Sequence, residues 1–506
     1  MKLALIEMGT SNFRLILSHI KEGEYFVPYK TITEAVGIEE QINSDAMISS
    51  TRFRECSSIL QMFKSIIDAE GIKDIQVIAT NSLSHAKNYQ SFIEDAKTQL
   101  GTDVRVMSPE GEMSALYSAV TNTLDVQKGT VVSITTQCVR IINYNRRIIL
   151  ESAVIPIGTF GIFKQSSDPE KAIEAFTEQL KKHATIFENM DAEGLIIGVG
   201  ETFSAYSRLA RKITKYSVDI EHNYHTCNET FDKVFTFIKD LDPEKRARMK
   251  GVSTQSISAV LGGLCIMTAI LRFTGVKNIV VGNIYRNKGL LFQHTIPFTS
   301  ERPMPDLLGY CLEMTKDFTG LDKESGTRMY ELGLMLFKQL KVLHKLPRGY
   351  AKVLRVAAQL YKLGGVVNPV THERNNYHAI MNSTLYGICH KDIVLASFCA
   401  AQKRWEDFNL SEWVRYKDIM TEFDLDAVRK ISNILAIADA LNIRNKDVVK
   451  DITCDILGDS VIIKLVTDTD TKSLKVDPKA AQIEIYFAKK YASEFERAFK
   501  KKLEVL

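Results

Sequence analysis

Glu7 stands two residues ahead of Gly9, with Thr10, Ser11 and Asn12 following and Arg14 just beyond. A carboxylate can hold a divalent cation. Hydroxyl, amide and bare backbone N–H groups in a tight turn can hold phosphate oxygens. Together these are the parts of a magnesium–phosphate group. The flanking runs, residues 3–6 and 13–17, are apolar and too short for helices, so they read as two strands joined at Gly9. An ordinary β-hairpin carries the same signature, and this stretch alone leaves both readings open.

The layout returns one small domain later. Residues 130–144 set Val132, Ser133, Thr135, Arg140 and Ile142 where the first stretch has Ile6, Glu7, Gly9, Arg14 and Ile16, without a gap. A repeated strand–turn–strand unit predicts two related lobes facing each other, with a ligand between their turns. A third phosphate-loop candidate is Gly198-Val-Gly200-Glu201-Thr202. There an apolar strand meets a glycine-rich turn and then a helix, whose N-terminus favours anions.

Ser108-Pro109-Glu110-Gly111-Glu112 opens another helix. Ser108 suits the N-cap, Pro109 the first helical position, and the acids complement the helix dipole. That role alone accounts for both glutamates. A glutamate projecting into the cleft would instead be a general base. The helical period puts the two on different faces; Glu112 is assigned to the cleft and Glu110 to solvent.

The 506 residues suffice for three or four domains, and the apolar and charged fractions are those of a soluble globular chain. A net charge of +4, with no basic stripe carrying interleaved aromatics, argues against nucleic acid as a partner. The eight cysteines are scattered without C-x-x-C spacing, which points to reduced thiols in a cytoplasmic setting. No apolar run reaches the length of a membrane span, and no signal peptide is expected.

Alternating strands and helices position the candidate groups in two α/β lobes, expected over residues 1–122 and 123–300. Within them, helices are predicted over 49–70, 89–100, 169–188 and 256–273, and strands over 75–80, 148–157 and 279–281. Residues 300–305, with two prolines, read as a linker. From 301 to 450 the pattern is helical. Residues 451–506 read as a small α+β unit: a hairpin across Gly458-Asp459, a strand over 481–486 and a final helix over 488–502.

These stretches together resemble the exopolyphosphatase / guanosine pentaphosphate phosphohydrolase (Ppx/GppA) family. The landmarks are residues 6–14, Ile78-Ala79-Thr80-Asn81-Ser82-Leu83, residues 107–112, Ile155-Pro156-Ile157-Gly158 and residues 198–202; residues 357–360 and 381–383 match in the helical part. The resemblance implies a two-lobed actin-like ATPase (ribonuclease H-like) fold followed by an all-α HD-like domain. It implies Glu112 as the base that activates water. Phosphates would lie on Gly9, Thr10, Ser11, Asn12, Arg14, Gly198, Gly200 and Thr202, with Mg2+ held by Glu7. The implied ligands are polyphosphate or guanosine penta/tetraphosphate, and a homodimer is expected.

The departures fall on the chemistry. The first-motif aspartate is Glu7. The second motif, normally Asp-x-Gly-Gly-Gly-Ser-Thr-Glu, reads Ser133-Ile-Thr-Thr-Gln-Cys-Val-Arg140. Its glycines are lost, and with them close backbone approach to a phosphate. Arg140 inverts the charge of an acid. Ser84 replaces an arginine, and Glu201 stands where glycine is expected. In the helical part, Arg328, Tyr361-Lys362 and Asn375 replace the HD metal ligands, and only Asp439 survives. Metal hydrolysis by that domain is not expected. Three readings follow: a phosphohydrolase with weak or lost activity, an inactive phosphate-ligand-binding or regulatory paralogue in which Arg14, Arg140, Arg146 and Arg147 hold the anion, and a purely structural partner protein.

Overall fold

Lys2–Met8 forms strand β1, buried at every position after Lys2. A strand apolar on both faces belongs inside a sheet. In the computed structural model β1 is the middle of five strands, in the order β3-β2-β1-β4-β5. The others are β2 (Asn12–Lys21), β3 (Tyr25–Ala35), β4 (Asp74–Ala79) and β5 (Val104–Val106). The structure describes residues 1–164, 167–188, 190, 193–242, 244–245, 257–467 and 481–506. By its contacts the chain divides into two units. One comprises Met1–Lys215 and Ile220–Leu307, the other Tyr216–Asp219 and Leu308–Leu506.

The first unit holds a second sheet, β10-β11-β9-β6-β7-β8. Its strands are β6 (Lys128–Ile134), β7 (Val139–Asn145), β8 (Ile148–Ile155), β9 (Leu195–Val199), β10 (Tyr224–Cys227) and β11 (Asn278–Gly282). The wiring of the first sheet recurs. β6–β7 and β7–β8 are antiparallel like β1–β2 and β2–β3. β6–β9 and β9–β11 are parallel like β1–β4 and β4–β5. The repeat holds in register too: Glu7 pairs with Arg14 and Ser133 with Arg140. Gly9 N donates to Asn12 O at 3.0 Å, and Thr135 N to Cys138 O at 3.0 Å.

Helix Ser50–Ala69 buries Leu60, Phe63 and Ile67 against Phe13, Leu15 and Phe92 in the core of the first lobe. Helix Pro109–Thr121 contributes Met113, Leu116 and Val120 to the core of the second, with Val131, Ile142 and Ile197. Helix Arg286–Thr295 crosses it so closely that a Cβ on Gly289 would lie 1.7 Å from Ala115 O.

The second unit begins within helix Leu307–Thr319 and is helical through Glu422–Leu441, the latter opened by a capping box of Thr421 and Asp424. It ends in a three-stranded sheet of β12 (Val449–Ile456), β13 (Ser460–Thr467) and β14 (Lys502–Val505). Among the described residues no helix is long and apolar enough to cross a membrane.

Several expected elements differ. Residues 481–486 are not a strand: Gln482–Lys489 is a helix that buries Glu484 and Ala488 one turn apart. The final helix is Ala492–Phe499, and the third strand is β14, which pairs parallel to β13 through an exposed–buried alternation. The helix expected over 169–188 ends at Lys181 and gives way to a 3-10 turn over Ala184–Phe187. That expected over 256–273 is Ile257–Thr274, and Ser256 lies outside the described residues. The proline-rich segment 300–305 is pinned rather than free. Met304 is buried, its N–H donates to Asn122 Oδ1 at 2.7 Å, and its carbonyl accepts from Arg147 Nη1 at 3.0 Å.

Because the group in the way of a Gly289 Cβ is backbone, no rotamer relieves it. Gly289→Ala is expected to cost about 3 kcal/mol or more, read as a lower denaturant midpoint. An unchanged midpoint would show that the two helices can separate freely.

Candidate functional site

Ser108 accepts from Gly111 N at 3.1 Å as the N-cap of its helix. The cap fixes the helix start and turns Glu112 inward, 1% exposed, while Glu110 is exposed. Glu112 Oε1 accepts from Asn81 N at 3.0 Å and faces Arg286 Nη1 at 2.9 Å. Oε2 accepts from Arg140 Nη2. Both oxygens are engaged, and both charged partners are arginines.

Glu7 is held the same way. Arg286 Nε and Nη2 donate to Glu7 Oε1 at 3.1 and 2.5 Å, and Asn287 Nδ2 donates to Oε2 at 3.2 Å. Arg286 thus bridges the two carboxylates from the start of its own helix. Burial alone would push the Glu7 carboxyl up. The charge and hydrogen bonds of Arg286, with Arg14 and Asn287, outweigh it and hold it below its ordinary value.

The repeated turns converge on a third carboxylate. Glu39, 3% exposed, accepts at Oε2 from Ser11 Oγ at 2.5 Å and from Thr136 Oγ1 at 2.8 Å. Ser11 belongs to the first turn and Thr136 to the second. The backbone of 158–160 secures the second turn: Thr159 N donates to Thr135 O and Phe160 N to Thr136 O.

Other candidates take varied places. Gly9 spends its N–H on Asn12 O. Thr10 is buried, with Oγ1 3.5 Å from Ser82 Oγ, and Asn12 begins β2. Arg14 donates from Nε to Thr33 Oγ1 at 3.3 Å, with its guanidinium 5.2 Å from the Tyr285 ring centroid. Gly198 lies inside β9 rather than in a turn: it pairs with Val132 and Val281, and the Phe203 ring fills the space of its missing side chain. The turn is at Gly200, with φ +90°, at the N-cap of helix Glu201–Thr214. The Thr202 side chain is turned into the packing, where a Cβ on Gly263 would lie 2.4 Å from its Cγ2. Ser84, in the arginine's place, donates to Asn81 O at 2.7 Å. Arg147 is committed to the carbonyls of Met304 and Thr121.

In the second unit, Asp439 faces an ammonium. Lys403 Nζ is 3.6 Å from it, 2.7 Å from Glu373, and 6.0 Å from the centroid of the Tyr361 ring. Arg328 pairs with Asp447 and Glu331.

Arg286, Asn287 and Glu39 escaped sequence reading. A signal for the first two exists: Asn283, Arg286, Asn287 and Lys288 follow an apolar strand and lead into a helix, as the glycine-rich turn after β9 does. Glu39 carries no such mark, since its role depends on Thr136, distant in sequence.

Two duplicated lobes meeting at facing polar turns define an actin-like, ATPase-type fold in the first unit. A sequence model of the Ppx/GppA phosphatase family matches residues 16–294, and the chain belongs to that family. It is 18% identical over 372 residues to a guanosine-5'-triphosphate,3'-diphosphate pyrophosphatase of Aeromonas salmonicida, covering 71% of this chain and 72% of that one. A putative exopolyphosphatase of Haemophilus influenzae is 20% identical over 122 residues, 24% of this chain and 38% of that protein. Among solved structures, the Aquifex aeolicus Ppx/GppA family member matches with TM-score 0.52 at 22% identity, over 59% of this chain and 98% of that one. An exopolyphosphatase from Cytophaga hutchinsonii matches with TM-score 0.52 at 17% identity, over 58% and 97%.

Removing Arg286 leaves two buried carboxylates short of a cation. Arg286→Gln is expected to cost about 3–5 kcal/mol, and adding Glu7→Gln to recover part of it in a double-mutant cycle. Glu7 is depressed in the folded state, so its contribution is full above its ordinary value of 4.5 and is lost as pH falls through the lowered value. The cost of Glu7→Gln alone should therefore shrink in acid denaturation series. A cost independent of pH would mean that Glu7 is not held as the anion by Arg286.

Proposed function

We propose that this chain is a phosphate-ligand-binding or regulatory member of the Ppx/GppA family whose hydrolysis of phosphoanhydride ends is weak or lost. The observation that carries this reading is the guanidinium of Arg286 shared between Glu7 and Glu112, with Arg140 on the second oxygen of Glu112. A general base must accept a proton from water within hydrogen-bond reach, and Glu112 has both oxygens engaged. A magnesium ion needs carboxylate oxygens in an undersaturated site, whereas Glu7 meets an arginine and an amide. These residues do not fit the ion, so no step is assigned to it. The hydroxyls that would cradle a phosphate, on Ser11 and Thr136, donate to Glu39 instead.

The relatives' names direct the choice of ligands to test: inorganic polyphosphate and guanosine pentaphosphate. Such polyanions would be recognised by Arg14 and Arg140, beside the carboxylates that Arg286 bridges. In the second unit, the pairing of Asp439 with Lys403 supports an HD-like helical domain that serves in packing rather than hydrolysis.

Purified protein given long-chain polyphosphate or guanosine pentaphosphate is expected to release no phosphate above background, with or without magnesium. Glu112→Gln is expected to lower stability, because it removes the charge that two arginines share, while Glu110→Gln, exposed, changes nothing. Magnesium-dependent release abolished by Glu112→Gln and kept by Glu110→Gln would overturn the proposal. It would mean that substrate draws the arginines off Glu112 and frees it as a base.

A further inference from the structure

The second unit contains a cavity of about 220 Å³ where helices Glu422–Leu441 and Ala492–Phe499 meet the segment 402–405. Five cationic side chains line it, Lys403, Arg404, Arg429, Arg497 and Lys500, against one carboxylate, Glu494. Glu494 is engaged with Arg497 at 3.3 Å, and Lys403 with Glu373 and Asp439. Among the described residues, Arg404, Arg429 and Lys500 have no carboxylate within ion-pair distance. A cavity with this charge selects an anion.

Two of its lining residues carry buried amide atoms without partners. Asn433 is 4% exposed and neither its amide nitrogen nor its oxygen has a hydrogen-bond partner. Gln402, 2% exposed, donates to Ser432 Oγ at 3.0 Å, but its own oxygen has no partner. Buried amides are ordinarily paired, and a ligand toward which these side chains turn would supply the missing partners. Trp405 offers no stacking platform: Phe408 stacks on it at 4.6 Å and 10°, and the Arg429 guanidinium lies 4.1 Å from its centroid. This sandwich holds Arg429 in place.

We infer that this cavity binds a small phosphate ester, the arginines and lysines taking the phosphate and the side chains of Asn433 and Gln402 turning their covered amide atoms to hydroxyls of the organic part. The volume lies below the roughly 300–1,000 Å³ of pockets for drug-sized ligands, which favours a sugar monophosphate over a nucleoside polyphosphate. The missing stacking surface points the same way. The site lies wholly within the second unit and does not rest on the reading of Glu7 and Glu112.

Calorimetric titration of the full chain with ribose 5-phosphate, inorganic phosphate and ribose tests it. Ribose 5-phosphate is expected to bind at one site, inorganic phosphate more weakly, and ribose not at all, with affinity falling as salt rises. Arg404→Gln combined with Lys500→Gln, both exposed, should weaken binding roughly tenfold to a hundredfold. Asn433→Leu should keep or raise the melting temperature, since it removes an unpaired amide, while erasing the advantage of ribose 5-phosphate over phosphate. Absence of binding at millimolar ribose 5-phosphate would overturn the inference. So would binding unaffected by the Arg404/Lys500 changes, or a fall in melting temperature with Asn433→Leu and no change in ligand preference.

Discussion

One guanidinium between two carboxylates organises the first unit. Glu7 comes from the central strand of one sheet, Glu112 from the helix that packs on the other, and Arg286 from the helix that crosses it. Buried side by side, the carboxylates would repel each other and each would lose its hydration. Arg286 and Arg140 supply two positive charges where burial makes them necessary. The crossing at Gly289, the cap at Ser108 and the register of β7 then have a common purpose. Each delivers one member of a four-residue ion cluster to the same point.

The cluster inverts what its frame is suited to hold. Facing turns with hydroxyls and backbone donors are anion sites, and neighbouring acids are cation sites. Here the anion on the hydroxyls is Glu39 and the cations on the acids are Arg286 and Arg140. The protein supplies its own counter-ions at Glu7 and Glu112 and its own anion at the two turns, although the second oxygen of Glu39 is buried without a partner. In the second unit Lys403 likewise stands beside Asp439 and Glu373.

Much of this was legible in the sequence because it is local. The hairpin at Gly9, the helix start at Ser108 and the inward Glu112 follow from residue types at fixed short spacing. The repeat was legible because both copies keep their turn length, and the paired registers Glu7–Arg14 and Ser133–Arg140 bear that out. Arg140 announced a change of charge but not its partner. What escaped was non-local. Arg286 and Glu39 are ordinary charged residues until the fold sets them against Glu7 and Thr136. Gly198 illustrates the reverse case: a glycine expected in a turn lies within β9, where it leaves room for Phe203. In the C-terminal sheet, residues 481–486 alternate well enough for a strand, yet β13 takes its partner from the four residues of β14, which no window of sequence distinguishes.

The central claim is that arginines occupy the cation positions at Glu7 and Glu112. Manganese, a paramagnetic stand-in for magnesium, reports on this directly when titrated into the protein and followed by electron paramagnetic resonance. No stoichiometric site is expected in the wild-type chain at millimolar metal. One manganese bound per chain and lost in Glu7→Gln would contradict it, because the ion could bind there only if Arg286 had left Glu7.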